Sequence, residues 1–450
     1  MSATALTFEA LAEAYAAPAP FCLRLRLEEL TVGVCTNNAA LADDLRRYFA
    51  PFLCGACDQG AEGLGQLPGG ASRAGAGGTL TKAVAEPLAK SADLEFLFLD
   101  GPVRQPLVEL AVRPHLPGKK PDKERFADVP GAATPGADVS GGGGRLVRKQ
   151  ATGMLFLFGP GAGANAGIAP NIAIGPCAGN RNQLVNFICA RYMERRVAAG
   201  WLLGHAAGVA LDTGERAKAL ALCGFAGMGK STLALHLLAR GCDFLSNDRV
   251  LVEPRPGAAP VLHGIPKHPR LNPGTALGNP ELAPHLSRAL PDALRAAYAG
   301  LAPSALYAVE DKFDALIDDC FGPERLGGAA SGLPAAPADA QANAQADAQA
   351  DAQAGRSRFR LAAPLRGLVV LNWRHGGGPM QARRVDLAAR PDLLAALRKP
   401  PGVFYLPQAL ATARLSAQHS LETLSGVPVL ELSGGSDFSA GAQACLDFLQ

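Results

Sequence analysis

The stretch that most constrains this chain is Ala219-Leu-Ala-Leu-Cys-Gly-Phe-Ala-Gly-Met-Gly-Lys-Ser-Thr-Leu-Ala-Leu-His-Leu-Leu-Ala-Arg-Gly241. It reads as strand, loop and helix. Ala219 to Cys223 is a short apolar run suited to a buried strand. Gly224 to Ser231 fits G-x-x-x-x-G-K-[ST], with Phe225, Ala226 and Met228 among the variable positions. Gly224, Gly227 and Gly229 let the backbone turn and bring its N–H groups against phosphate oxygens. The helix that follows adds the positive end of its dipole. In such a loop Lys230 reaches the β- and γ-phosphates, and the Ser231 hydroxyl holds Mg²⁺. Thr232 continues the set into a helix carrying Leu233, Leu235, Leu237 and Leu238, which Gly241 stops. The expected ligands are ATP and Mg²⁺.

With 450 residues the chain can bury a large core and holds two or more domains. Its net charge of +3 is too small to argue for a nucleic-acid surface. No apolar run reaches the length of a membrane span. The first ten residues lack a basic segment followed by an apolar core, so a cytoplasmic location is expected. The ten cysteines read as reduced, small core residues. Cys54 and Cys57 stand at metal-like spacing, but no second pair follows to complete a four-thiolate site.

In chain order, residues 1–113 read as an α/β module. It holds strands at Phe21–Leu27, Thr31–Cys35, Leu94–Leu99 and Leu107–Val112. A helix over Ala39–Phe49 is capped by Asn37 or Asn38, and residues 55–81 form a Gly-rich insert. Residues 114–145 are Pro/Gly-rich and read as a flexible linker. Residues 146–326 form the core around the loop. Within it, Asp243 to Val252 is strand, polar break, strand, and Val261 to Gly274 is an ordered loop because its prolines exclude a helix interior. Glu281 to Ala299 reads as one helix. An Ala/Gln/Asp repeat at 327–356 is a low-complexity insert. Residues 357–410 return to the core, with a buried strand at Pro364–Trp373, and 411–450 add a strand and a helix.

A phosphate-binding loop alone leaves ATPase, GTPase and kinase open. The Asn/Thr-Lys-x-Asp that reads a guanine base is absent. The second half of a site is Ser246-Asn-Asp-Arg249, whose position after one helix and one strand returns it beside the loop in a parallel sheet. At this point the chain resembles the HPr kinase/phosphorylase family. Asn247-Asp248-Arg249-Val250 is similar to that family's Asp-Asp-Arg-Val, and Asp248 follows Lys230 by the family's 18 residues. His205 in Gly204-His-Ala-Ala-Gly matches a histidine on the strand before the loop. The segment Pro266-Lys-His-Pro-Arg-Leu-Asn-Pro-Gly-Thr275 resembles more closely the HPr-kinase-related kinase B branch.

The resemblance implies an α/β fold. Its parts are a P-loop, HPr-kinase-like nucleotide-binding core, a smaller N-terminal α/β module and low-complexity inserts. It also implies a kinase that moves the γ-phosphoryl group of ATP to a hydroxyl, serine-like, on an unknown protein or small molecule. Asp248 would accept the hydroxyl proton, which is what such a nucleophile requires. Lys230, His205 and Arg249 would assist, and Ser231, Asn247 and Asp248 would hold the metal. Lys267 and Arg270 are a candidate phosphate clamp. Homo-oligomeric assembly is a further expectation from the family. Two positions depart from its pattern. Asn247 replaces an acidic residue, and Val261-Leu-His-Gly264 lacks the family's metal-binding Glu, so phosphorylase activity and HPr as substrate are not carried over. The alternatives are a nucleotide-binding scaffold and a simple P-loop ATPase.

Overall fold

The computed structural model describes residues 6–54, 92–112, 123–131, 143–159, 171–212, 217–225, 227–287, 289–298, 300–309, 311–322, 356–374, 376–398, 401–406 and 416–450. The inserts expected at 55–81 and 327–356 lie outside them, except for Arg356, as do Cys57 and Ala226. The chain is mixed α/β and forms two units, residues 1–198 with 401–411, and residues 199–400 with 412–450.

The first unit is built on an eight-stranded mixed sheet. Its strands are β1 (Phe21–Leu27), β2 (Leu30–Thr36), β3 (Leu94–Asp100), β4 (Ala111–Val112), β5 (Glu124–Val129), β6 (Gly144–Lys149), β7 (Leu155–Phe158) and β8 (Asn171–Gly175). Their spatial order is β1-β2-β3-β8-β7-β6-β5-β4. Helices α1 (Phe8–Tyr15), α2 (Ala39–Tyr48) and α3 (Arg181–Ala198) complete it. Asn38 caps α2, its Oδ1 accepting from the Leu41 N–H at 3.0 Å. Asn37 instead pairs with the Asp100 backbone.

Four expectations change here. The sheet takes in β6, β7 and β8, so the boundary between units falls after Ala198 and not at residue 145. The expected linker contains β5, which pairs with β6 along six residues. Of the strand expected over 107–112, only Ala111 and Val112 join the ladder, at its exposed edge. Cys22 and Cys35 also form a disulfide across directly paired positions of β1 and β2, so these two are not reduced.

Residues Val403–Leu406 return to this unit as a buried strap. Phe404 fits among Phe156, Phe158 and Phe187, with ring centroids 4.8 to 6.0 Å apart. The strap's backbone is met by buried charges. Arg145 donates to the carbonyls of Val403 and Tyr405, Arg191 to that of Phe404, and Glu194 accepts from the Leu406 N–H at 2.6 Å.

The second unit carries a nine-stranded mixed sheet and a two-stranded one. The strands are β9 (Leu202–Gly204), β10 (Ala206–Asp212), β11 (Ala217–Gly224), β12 (Asp243–Ser246), β13 (Val250–Glu253), β14 (Val261–His263), β15 (Arg270–Leu271), β16 (Phe313–Asp314), β17 (Ala362–Arg374), β18 (Gln381–Val385) and β19 (Val429–Gly435). β11, β17 and β19 are parallel neighbours. β10 lies antiparallel between β11 and β12, so β12 runs in the same direction as β11 with one strand between them. Helix α4 (Lys230–Ala239) and the C-terminal helix Phe438–Leu449 pack on each other and on this sheet. The single helix expected over 281–299 is two pieces, Ala283–Leu286 and Asp292–Tyr298. Pro291 lacks an N–H and restricts the residue before it, so the helix cannot run through.

Candidate functional site

The strand, loop and helix read from the sequence are β11, residues 224–229 and α4. Helix α4 is short and buried almost all round, with Leu233 to Leu238 inside. Gly241, at φ 97°, ends it. Its N–H bonds Leu238 O and the Cys242 N–H bonds Leu237 O, the paired closure of a left-handed C-terminal cap. Helix entry needs Gly229 at φ 82°, and a Cβ there would lie 2.5 Å from the Phe438 ring. Gly227 is also left-handed, at φ 83°.

The loop is braced from the neighbouring strand. Trp373, near the end of β17 and buried, donates its indole N–H to Met228 O at 2.9 Å. Its ring meets Phe438 edge-on at 5.2 Å. Gly441 makes room for that ring, since a Cβ there would lie 2.8 Å from it. Lys230 folds back, its ammonium donating to Gly224 O at 2.7 Å and Phe225 O at 3.2 Å. Phe225 itself is exposed. Beneath the loop, burial pushes the Cys223 thiol up to about 12, so it stays a neutral core group.

The turn after β12 comes to the same place. The Ser231 hydroxyl donates to Asn247 Oδ1 at 2.7 Å. Asp248 follows with φ 69°, a left-handed backbone rare outside glycine. His205 sits in the break between β9 and β10 and points at this residue. Its Nδ1 is 3.1 Å from Asp248 O and 3.4 Å from Asp248 Oδ1. The His205 N–H in turn donates to Leu397 O. The Asp248 side chain is 44% exposed, open enough to meet a ligand, while that of His205 is 15% exposed. Ser246 closes the turn, its hydroxyl donating to Arg249 O and accepting from the Ile265 N–H. Ser231, Asn247, Asp248 and His205 are thus brought together, with Lys230 one residue before Ser231. Arg249 belongs to the turn through its backbone.

The expected clamp separates. Arg270 turns to Asp314, at 3.4 Å, and donates to Lys312 O. His268, on the same segment, accepts from the Ile317 N–H and is buried, which makes it a structural residue. Lys267 is half-buried, and its ammonium makes no hydrogen bond or ion pair among the described residues. The brace of Trp373 and Phe438 was not read from the sequence, and Ser246 and Gly264 were named there only as members of their motifs. A tryptophan closing a buried strand was the one available signal for the brace.

Among the described residues no group of three or more His, Cys, Asp or Glu could hold a metal, and no helix is long and apolar enough to cross a membrane. No family model matches the chain, and no curated protein matches it.

Proposed function

We propose that the second unit is an ATP-dependent kinase of the HPr-kinase-related type, which transfers the γ-phosphoryl group to a hydroxyl. The observation that carries the reading is the 2.7 Å bond from Ser231 to Asn247, which joins a glycine-rich loop and helix start to a turn bearing a single exposed carboxylate. A loop of this form offers backbone N–H groups and Lys230 to a triphosphate. Asp248 supplies the base. The acceptor hydroxyl attacks the γ-phosphorus, its proton passes to the Asp248 carboxylate, the new O–P bond forms, and the bond to the β–γ bridging oxygen breaks to release ADP. His205 orients Asp248 from the side away from solvent. Ser231 Oγ, Asn247 Oδ1 and Asp248 are oxygen donors of the kind Mg²⁺ accepts, and a bound Mg²⁺ would neutralise charge on the phosphates. With one carboxylate in the set, these residues would hold Mg²⁺ weakly, and the nucleotide's phosphates would supply most of its ligands. A cytoplasmic location belongs to the same reading.

The test is incubation with γ-labelled ATP, with and without cell extract. Label on a macromolecule or metabolite is expected. Release of free phosphate alone would favour an ATPase, and binding without turnover a nucleotide-dependent scaffold.

A further inference from the structure

Behind the glycine-rich loop lies an imidazole with no part in the proposed chemistry. His236 is on α4, seven residues after Gly229 and so two turns along the same face. It is buried, and its ring lies nearly flat on that of Phe438, with 5.6 Å between centroids and 9° between planes. The same Phe438 ring fills the space beside Gly229, where a Cβ would lie 2.5 Å from it. Its third neighbour is Trp373, edge-on at 5.2 Å, whose indole N–H holds Met228 O. Phe438 is thus wedged between His236 and the two contacts that set the loop.

The hydrogen bonds around His236 fix its proton. Asn279 Oδ1 accepts from the Glu281 and Leu282 N–H groups at 3.1 and 3.3 Å, so its amide nitrogen is the end that faces the ring. That nitrogen stands 3.0 Å from His236 Nε2 and can only donate. Nε2 is therefore the acceptor, and Nδ1 carries the proton, donated to Glu281 Oε2 at 3.1 Å. The charged groups facing the ring are Glu281, Arg240 and Asp437. Glu281 is shared, since Arg240 donates to the same oxygen at 3.0 Å, and Arg240 Nη1 lies 3.4 Å from Nδ1. Asp437 accepts from the Ala440 N–H as the cap of the C-terminal helix. A second proton, on Nε2, would set donor against donor at Asn279 and put another cation beside Arg240, where burial already disfavours charge. Asn279 cannot turn its amide round without giving up its two N–H bonds. The imidazolium must leave its place on Phe438 to reach water.

We propose that His236 is a positioning residue for the glycine-rich loop, acting through Phe438, and that its protonation unseats Phe438 and weakens the loop's hold on a nucleoside triphosphate. The inference rests on the proposed function in taking the loop as a triphosphate site, and it gives that site a proton-sensitive support. Neutral His236 and a seated ring go together at neutral pH, and the site loosens as pH falls. The coupling is reciprocal, so a bound nucleotide keeps His236 neutral to lower pH than the empty loop does.

The experiment is binding of the β,γ-imido analogue of ATP with Mg²⁺ to the full chain, by dialysis between about pH 7.5 and 5, against His236→Gln. Glutamine does not titrate, and it offers a donor for Glu281 and an acceptor for Asn279. The analogue's own phosphates titrate alike with both chains and cancel in the comparison. Wild-type affinity should fall about tenfold further than that of the variant. The proton affinity of His236, read by NMR from the signal that the variant lacks, should fall about tenfold when the analogue binds. Equal pH dependence in the two chains, or a His236 titration indifferent to the analogue, would overturn the proposal. The chain has two tryptophans, so Trp201→Phe leaves Trp373 as the one indole. Without nucleotide, its emission should shift in step with the His236 titration and lose that shift when His236→Gln is added. Failure of the analogue to bind at any pH would sink the nucleotide reading separately, and the Trp373 shift would still decide whether His236 moves Phe438.

Discussion

Asp248 carries two burdens that substitution can separate. Its backbone is left-handed, at φ 69°, and its carboxylate stands 3.4 Å from His205 Nδ1. A left-handed backbone costs an ordinary residue about 1–2 kcal/mol, with Asn and Asp better tolerated. The carboxylate is 44% exposed, so its pairing with His205 stabilises the fold by no more than about 0–1 kcal/mol. The His205 contact to Asp248 O is to backbone and survives any substitution. Asp248→Asn should therefore keep stability within about 0.5 kcal/mol of the parent. Asp248→Ala should lose about 1–2 kcal/mol. Asp248→Gly loses the same side chain and costs about 0.5–1 kcal/mol in chain entropy, yet it relieves the backbone. It should end about 0.5–1 kcal/mol above Ala. All three should lower transfer by about 10²–10⁴-fold, because a general base is gone. Both tryptophans of the chain, Trp201 and Trp373, lie in the second unit, so their fluorescence in a urea titration follows that unit. Equal midpoints for Ala and Gly would refute the backbone argument. Wild-type transfer by Asp248→Asn would refute the catalytic one.

Trp373→Phe removes the donor to Met228 O and should destabilise the unit by about 1–2 kcal/mol while weakening binding of the imido analogue, measured by dialysis. Gly229→Ala should abolish that binding even when combined with Phe438→Ala, because the φ of 82° stays forbidden after the ring is removed. His236 is buried, donates from Nδ1 to Glu281, and accepts from Asn279 at Nε2; burial holds its pKa below the usual imidazole range in spite of Glu281 and Asp437. The unfolded chain thus binds the proton first, and stability falls as pH drops through about 6.5, by at most about 1.4 kcal/mol per pH unit. Tryptophan-detected urea midpoints between pH 7.5 and 5 check this, and His236→Gln should flatten the curve. In the first unit, Glu194→Ala leaves Arg191 buried without its carboxylate and frees the Leu406 N–H, so it should cost about 3–5 kcal/mol, read as faster hydrogen exchange across β6 to β8.

What the sequence made legible was local. The β11–loop–α4 unit, the break between β12 and β13 and the Asn cap of α2 follow from residue periodicity, glycine placement and side-chain caps within a few positions. What it hid was long-range. The pairing of β5 with β6 depends on a partner strand, and a Pro/Gly-rich approach masks a six-residue strand whose alternation is weak. β8 escaped notice for a related reason: Asn171-Ile-Ala-Ile-Gly175 is short, and only its place between β3 and β7 makes it central. The brace of Trp373 and Phe438 joins residues 65 apart, and no local pattern marks such a contact. Lys267 and Arg270 looked alike as a basic pair. They part because Asp314, 44 residues on, claims one of them.

Asn247 is where the proposed chemistry and the fold constrain each other most. A carboxylate there would face the Ser231 hydroxyl and stand next to Asp248, and like charges at one site raise the pKa of one partner. The neutral amide accepts the Ser231 bond without adding a second charge beside the Asp248 carboxylate. The cost is a weaker hold on a divalent cation, since an amide oxygen carries no net charge. Asn247→Asp should therefore tighten Mg²⁺ binding in the presence of the imido analogue, measured by calorimetry. It should also move the acid limb of the transfer-rate profile to higher pH. A profile that stays in place while metal affinity rises would mean that residue 247 does not sense Asp248, and the turn would have to be read as a metal site without a base.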